Sequence, residues 1–276
     1  MRLFYSVILF LFLLSMPLSG QNYEAWVDRS ADYIEKDQLD SAAIALQQAM
    51  TLDPANENNP VLLLNLGIIQ RQLNQYEDAY ISLTASMANN PMPDVVLHKR
   101  ASLLCDMSRF DEAMEDYNAL IRLYPNNVEA YYRRGLLFLE QNNQAKAEAD
   151  FQASEAIDPD NMFTKLSQAL MYKLDDNWAA AENIYTELIQ SDPTPDPSFY
   201  MNRAECYVNR DQIFKASADL RAVGESQRDN PYFYFLRGRV RYEQFDKTAA
   251  LEDFRKAKEL GYEPTIVGEW LKKTEK

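Results

Sequence analysis

The chain has 276 residues, with 28 Lys and Arg against 42 Asp and Glu, for a formal net charge of −14. A surface of that sign repels phosphate backbones and excludes nucleic acid as a partner. Two cysteines, Cys105 and Cys206, and one histidine, His98, are too few for a disulfide framework or a metal cluster, so no metal and no cofactor are expected.

From Leu3 to Leu14 the chain is almost unbroken in apolar residues behind Arg2, and Pro17, Ser19 and Gly20 follow. That is the build of a signal peptide over residues 1–20, cleaved after Gly20 and leaving Gln21 first. The run is shorter than the ~18 to 20 residues of a comfortable membrane span. A periplasmic or secreted location is expected, with no stable membrane insertion after cleavage; retention of the segment as an anchor stays open. Only 7 glycines favour helices over sheets.

Beyond the leader, three series of residues share one period. Small residues recur at Ser30, Gly67, Ala101, Gly135, Ala169, Ala204 and Gly238. Twelve residues after each stands an alanine: Ala42, Ala79, Ala113, Ala147, Ala181, Ala216 and Ala250. Pro54, Pro91, Pro125, Pro159 and Pro193 close five units. Apolar residues at helical spacing, as in 130–139, give each unit a helix, a short turn and a second helix. The small residue and the alanine mark the close approach of the two backbones. Pro60, Pro197 and Pro231 open first helices, where a missing N–H costs little.

These residues resemble the tetratricopeptide repeat family, with its 34-residue unit. Trp26, Tyr131, Tyr200 and Tyr234 fit the family's first aromatic, and Tyr117, Phe151, Tyr185 and Phe254 fit the later one. The resemblance implies an all-α, right-handed superhelical solenoid of about seven helix-turn-helix repeats, over 23–54, 60–93, 94–127, 128–161, 162–195, 197–230 and 231–264. Residues 265–276, with Ile266, Val267, Trp270 and Leu271, read as a capping helix, because a last repeat otherwise exposes an apolar face. The first junction carries extra residues within 55–59, and Arg228 stands where the sixth unit lacks its proline.

Arg100, Arg134, Arg203 and Arg237 each precede the small residue of a first helix, and each has an aspartate 16 positions later: Asp116, Asp150, Asp219 and Asp253. The recurrence predicts ion pairs joining the helices of a unit, with an anion-binding row of arginines as the alternative. Along the inner face of the first helices, Tyr132, Leu136, Leu139, Phe163, Leu166, Leu170, Met201, Tyr232, Phe235, Arg239 and Tyr242 predict an apolar groove for a protein or peptide. No phosphate loop, Ser-His-acid set or Cys-His pair is recognisable, so no catalysis is expected. Co-chaperone members of the family hold a terminal carboxylate with concave lysines, asparagines and an arginine; His98, Ser102, Glu129 and Arg133 keep at most a fragment of that arrangement. The expected function is a protein-interaction scaffold of the bacterial envelope. The alternatives are a subunit of a secretion or surface-assembly complex that docks through its convex face, and an accessory factor of an envelope enzyme.

Overall fold

The computed structural model describes residues 18–223, 227 and 229–275. The described residues form fifteen α-helices. The first unit of the chain runs to Asp150 and holds α1 (Leu18–Glu35), α2 (Leu39–Leu52), α3 (Asn59–Gln72), α4 (Tyr76–Ser86), α5 (Pro93–Asp106), α6 (Phe110–Leu123) and α7 (Val128–Glu140). α8 (Gln144–Ile157) contains the division between the units. The second unit holds α9 (Met162–Leu174), α10 (Trp178–Ser191), α11 (Pro197–Asn209), α12 (Ile213–Val223), α13 (Pro231–Glu243), α14 (Lys247–Glu259) and α15 (Pro264–Glu275). The leader as far as residue 17, and Arg228, lie outside the described residues. α1 already begins at Leu18, ahead of residue 23, so the expected cleavage point after Gly20 falls inside its first turns.

Each first helix ends the same way. The residue after the last turn takes a left-handed conformation at Asp37, Asn74, Ser108, Asn142, Asp176, Asp211 and Phe245, with φ between 55° and 64°. The next residue sends its N–H back to a carbonyl of the last turn, as in Gln75 to Gln70 and Asp246 to Arg241. This is a Schellman stop, which satisfies carbonyls that the helix leaves unpaired. Asp and Asn tolerate the conformation better than other L side chains; Ser108 and Phe245 do not belong to that set. First helices begin under side-chain caps from Asn127, Asn161, Asp196 and Asn230, or with proline in the first turn, as at Pro60 and Pro93.

Between the helices, the seven alanines of the periodic series are all fully buried. Glycine is needed where a ring or branched side chain crosses. A Cβ on Gly238 would stand 2.7 Å from Phe254 Cε1, and one on Gly67 2.7 Å from Leu83 Cγ. Within each unit a helix packs on its neighbours in the chain, and α3 also touches α5, as α11 touches α13. The first unit's core includes Tyr23, Leu46, Leu64, Ile69, Leu103, Tyr117 and Leu120. The second's is built on Tyr185, Phe199, Phe233, Leu236 and Phe254. Each such side chain contributes about 1.5–3 kcal/mol by leaving water.

The extra residues of the first junction form a hydrogen-bonded turn. Asn56 Nδ2 donates to Asp53 Oδ2 at 3.0 Å, Asn59 Nδ2 to the Asp53 carbonyl at 2.9 Å, and the buried Tyr23 hydroxyl to Asn59 Oδ1 at 3.1 Å. The insertion thereby ties α1 to the start of α3.

Candidate partner-binding face

Four arginine–aspartate pairs organise the first helices. Each guanidinium donates through Nε and Nη2 to both carboxylate oxygens: Arg100 to Asp116 at 2.8 and 2.6 Å, Arg134 to Asp150 at 2.8 and 2.6 Å. Arg203 reaches Asp219 at 2.8 and 2.8 Å, and Arg237 reaches Asp253 at 2.9 and 2.6 Å. The fork geometry suits a planar carboxylate, and this hydrogen bonding raises the pKa of all four arginines above its ordinary value. In three of them Nη1 turns to the preceding second helix, reaching Thr84, Asn118 and Thr186. Aromatic faces flank the guanidinium groups, such as Tyr131 and Phe138 around Arg134 and Phe233 and Tyr234 around Arg237. Donors aimed at aspartates and the neighbouring helix leave no row open to anions.

The inner face of the first helices is less uniform than expected. On α7, Tyr132, Leu136 and Leu139 are half-buried, as are Phe163, Leu166 and Leu170 on α9. Leu166 already leans on the core beside Tyr185. Of the remaining expected groove residues, Met201 and Phe235 are corrected by the structure, being buried, while Tyr232, Arg239 and Tyr242 are half-buried against the protein's own rings. Met201, 4 % exposed, is packed in the core with Phe233 and Leu236. Phe235, 5 % exposed, stacks on Tyr262 at 4.6 Å and meets Trp270 edge-on at 6.4 Å. Tyr232 stacks on Tyr262 at 5.9 Å, and burial, with Glu205 beside its hydroxyl, pushes its pKa well up. Tyr242 meets Trp270 edge-on at 5.6 Å, and the Arg239 guanidinium lies 5.3 Å from the same indole. The face of α13 is thus partly covered by the following segment, because α15 lays Trp270 against Phe235, Tyr242 and Arg239.

Polar links that the sequence did not reveal also cross this face. Lys173 of α9 is ion-paired with Glu205 of α11 and donates to Asn202 Oδ1 at 3.0 Å. Arg239 Nη2 donates to Asn209 Oδ1 at 3.1 Å. In the first unit, Arg71 Nε donates to Asp106 Oδ2 at 2.5 Å, linking α3 to α5. His98 Nε2 lies 3.2 Å from Asn127 Oδ1, an oxygen that also accepts from the Ala130 N–H. Because that oxygen carries no hydrogen, Nε2 is the protonated nitrogen of the neutral ring. The cysteines are unbridged. Burial pushes the Cys206 thiol up to about 12, far from the thiolate a nucleophile needs.

Two phenyl rings are exposed: Phe214, in the first turn of α12 and 86 % exposed, and Phe245, in the turn between α13 and α14 and 90 % exposed. No helix among the described residues is long and apolar enough to cross a membrane.

Comparison with known proteins gives a consistent answer. A family profile described as tetratricopeptide repeat matches residues 98–161. The crystal structure of a tetratricopeptide repeat protein from Parabacteroides merdae is 34 % identical, covering 93 % of this chain and 100 % of that one, with a TM-score of 0.69. The Cut9–Hcn1 hetero-tetramer of APC/C aligns at 13 % identity over 93 % of this chain and 57 % of the other, with a TM-score of 0.66. Pseudomonas aeruginosa pilF aligns at 15 % identity over 78 % and 96 %, with a TM-score of 0.55. The last two share the fold alone. No curated protein matches the sequence. Proteins of this all-α repeat fold generally serve as non-catalytic scaffolds for other proteins. With the periodic alanines, the stopped first helices and a 34 % identical relative over 93 % of its length, this chain belongs to the tetratricopeptide repeat family.

Proposed function

We propose that the chain is a non-catalytic interaction scaffold of the bacterial envelope, holding a protein segment against the apolar face of α9. One observation carries this reading. On α9, Phe163, Leu166 and Leu170 stay partly exposed, whereas Met201 of α11 and Phe235 of α13, expected on the same face, are buried. Tyr172 and Leu174, both exposed, extend the apolar surface of α9. Side chains of this type anchor partners when a few of them are truly buried on binding. The envelope location rests on the apolar run behind Arg2 and the small residues before Gln21. N-terminal sequencing of exported material is expected to begin at Gln21.

The test is cross-linked capture of the native partner from envelopes. Phe163→Ala with Tyr172→Ala, both on α9, is expected to reduce capture about tenfold, as loss of true anchors would, with helicity unchanged. Wild-type capture by that variant favours the second reading, a subunit of a secretion or surface-assembly complex. The exposed rings of Phe214 and Phe245 would then be the contacts, and Phe214→Ser with Phe245→Ser would abolish capture.

A further inference from the structure

We propose that Gln21 is a modification site: the exported chain closes its N-terminus there as a pyroglutamyl lactam, which shields the Tyr23 anchor of the first repeat from exopeptidases. The inference rests on cleavage after Gly20, the reading that also places the chain in the envelope.

The chemistry follows from the residue that the cut leaves first. Of the two amides behind Gly20, Gln21 and Asn22, only Gln21 gains a free α-amine. A glutamine closes an unstrained ring on itself, where an asparagine would close a smaller and strained one. An α-amine has a pKa of about 7.7–8.0, so a share of it is neutral and nucleophilic at pH 7. Holding nucleophile and carbonyl within one residue raises their effective concentration. The α-nitrogen attacks Cδ and a new C–N bond forms. The bond from Cδ to Nε2 breaks, and ammonia leaves with the proton that the amine gives up. The step is an amide exchange and uses no oxidant and no co-substrate.

The packing of α1 gives the ring something to protect. α1 is helical from Leu18, so the cut places the new terminus within its first turns. Asn22 is exposed, whereas Tyr23 is 1 % exposed and packs with Val27, Leu46 and Leu62. The Tyr23 hydroxyl donates to Asn59 Oδ1 at 3.1 Å, and Asn59 Nδ2 donates to the Asp53 carbonyl at 2.9 Å. Only Gln21 and Asn22 therefore separate the cut from a side chain that ties α1 to the start of α3. Chain ends are where proteolysis concentrates, and an aminopeptidase needs a free amine. The lactam removes that amine. It also takes a positive charge from the positive end of the helix macrodipole. No intrahelical bond is lost, because the first N–H groups of a helix have no partner within it.

The experiment is intact-mass and tandem mass spectrometry of the full exported chain, followed by digestion with a broad aminopeptidase. The parent is expected to begin at residue 21, to be lighter than the free-amine chain by one ammonia, and to keep its mass and melting temperature through the digestion. Gln21→Ala is expected to carry a free amine, to be trimmed through Tyr23 and to melt at a lower temperature afterwards. A free amine on Gln21 of the exported parent, or a Gln21→Ala chain that keeps its melting temperature through the digestion, would overturn the proposal. A chain that begins elsewhere overturns the cleavage reading as well, and the same spectrum tells the two failures apart. If Gln21→Ala is not exported, the parent is compared before and after pyroglutamate aminopeptidase removes residue 21. Digestion that trims only the opened chain supports the proposal, and equal digestion overturns it.

Discussion

Phe245 is the one aromatic in a series of seven residues that leave their helices in left-handed backbone. An L side chain pays roughly 1–2 kcal/mol in that conformation, and Asn or Asp offset part of it by local hydrogen bonds. Phe245→Asn is therefore expected to stabilise the protein by about 1 kcal/mol, read as a higher urea midpoint. A second residue-scale expectation concerns His98. Burial holds its pKa below the ordinary 6.5, the field of Arg133 assists, and Glu129, Asp94 and the bond to Asn127 oppose. The fold favours the neutral ring, so this contribution to stability is complete above pH 6.5 and is lost as pH falls below it. Melting curves of His98→Gln should show a shallower loss on acidification than the parent. The Phe245 anomaly is legible in the sequence: Asp37, Asn74, Ser108, Asn142, Asp176 and Asp211 recur with the repeat, and Phe245 falls next in register.

At the scale of the helix pair, the aspartate bridges and the small residues make separate predictions. The Arg134–Asp150 pair, with side chains 19 % and 7 % exposed, should show coupling of about 0.5–1 kcal/mol in a double-mutant cycle to alanine, above the usual value for a fully solvated pair. Gly238→Ala gains about 1 kcal/mol in helix propensity, but its new methyl meets the fully buried Phe254 ring, which has nowhere to go. Overpacking of about 1–3 kcal/mol should outweigh the gain, and the urea midpoint should fall. Helix pairs were readable because three residue series keep one spacing. The Arg–Asp contacts were readable because the 16-residue offset recurs four times. The inner face was only half readable. The pattern that puts Phe235 and Tyr242 in line with Phe163 says nothing of α15, whose Trp270 reaches them from about 30 residues away in sequence.

At the scale of the molecule, α15 is held by rings: Phe254 lies 5.6 Å from Trp270, and Lys273 sits 4.2 Å above the indole. Truncation before Pro264 should lower the melting temperature and, by uncovering Phe235 and Tyr242, promote self-association measurable by sedimentation. A truncated chain that remains monomeric with the parent melting curve would show that the covering is incidental. The way Tyr262 and Trp270 claim the exposed flank of α13 has an engineering counterpart. Pro231–Glu275 is expected to behave as a terminator cassette: a duplicated repeat should join well if spliced ahead of Pro231, and should find the flank of α13 already occupied by Tyr262 and Trp270 if appended after Glu275. Libraries that vary array length should therefore yield soluble products from upstream insertions and aggregates from C-terminal additions.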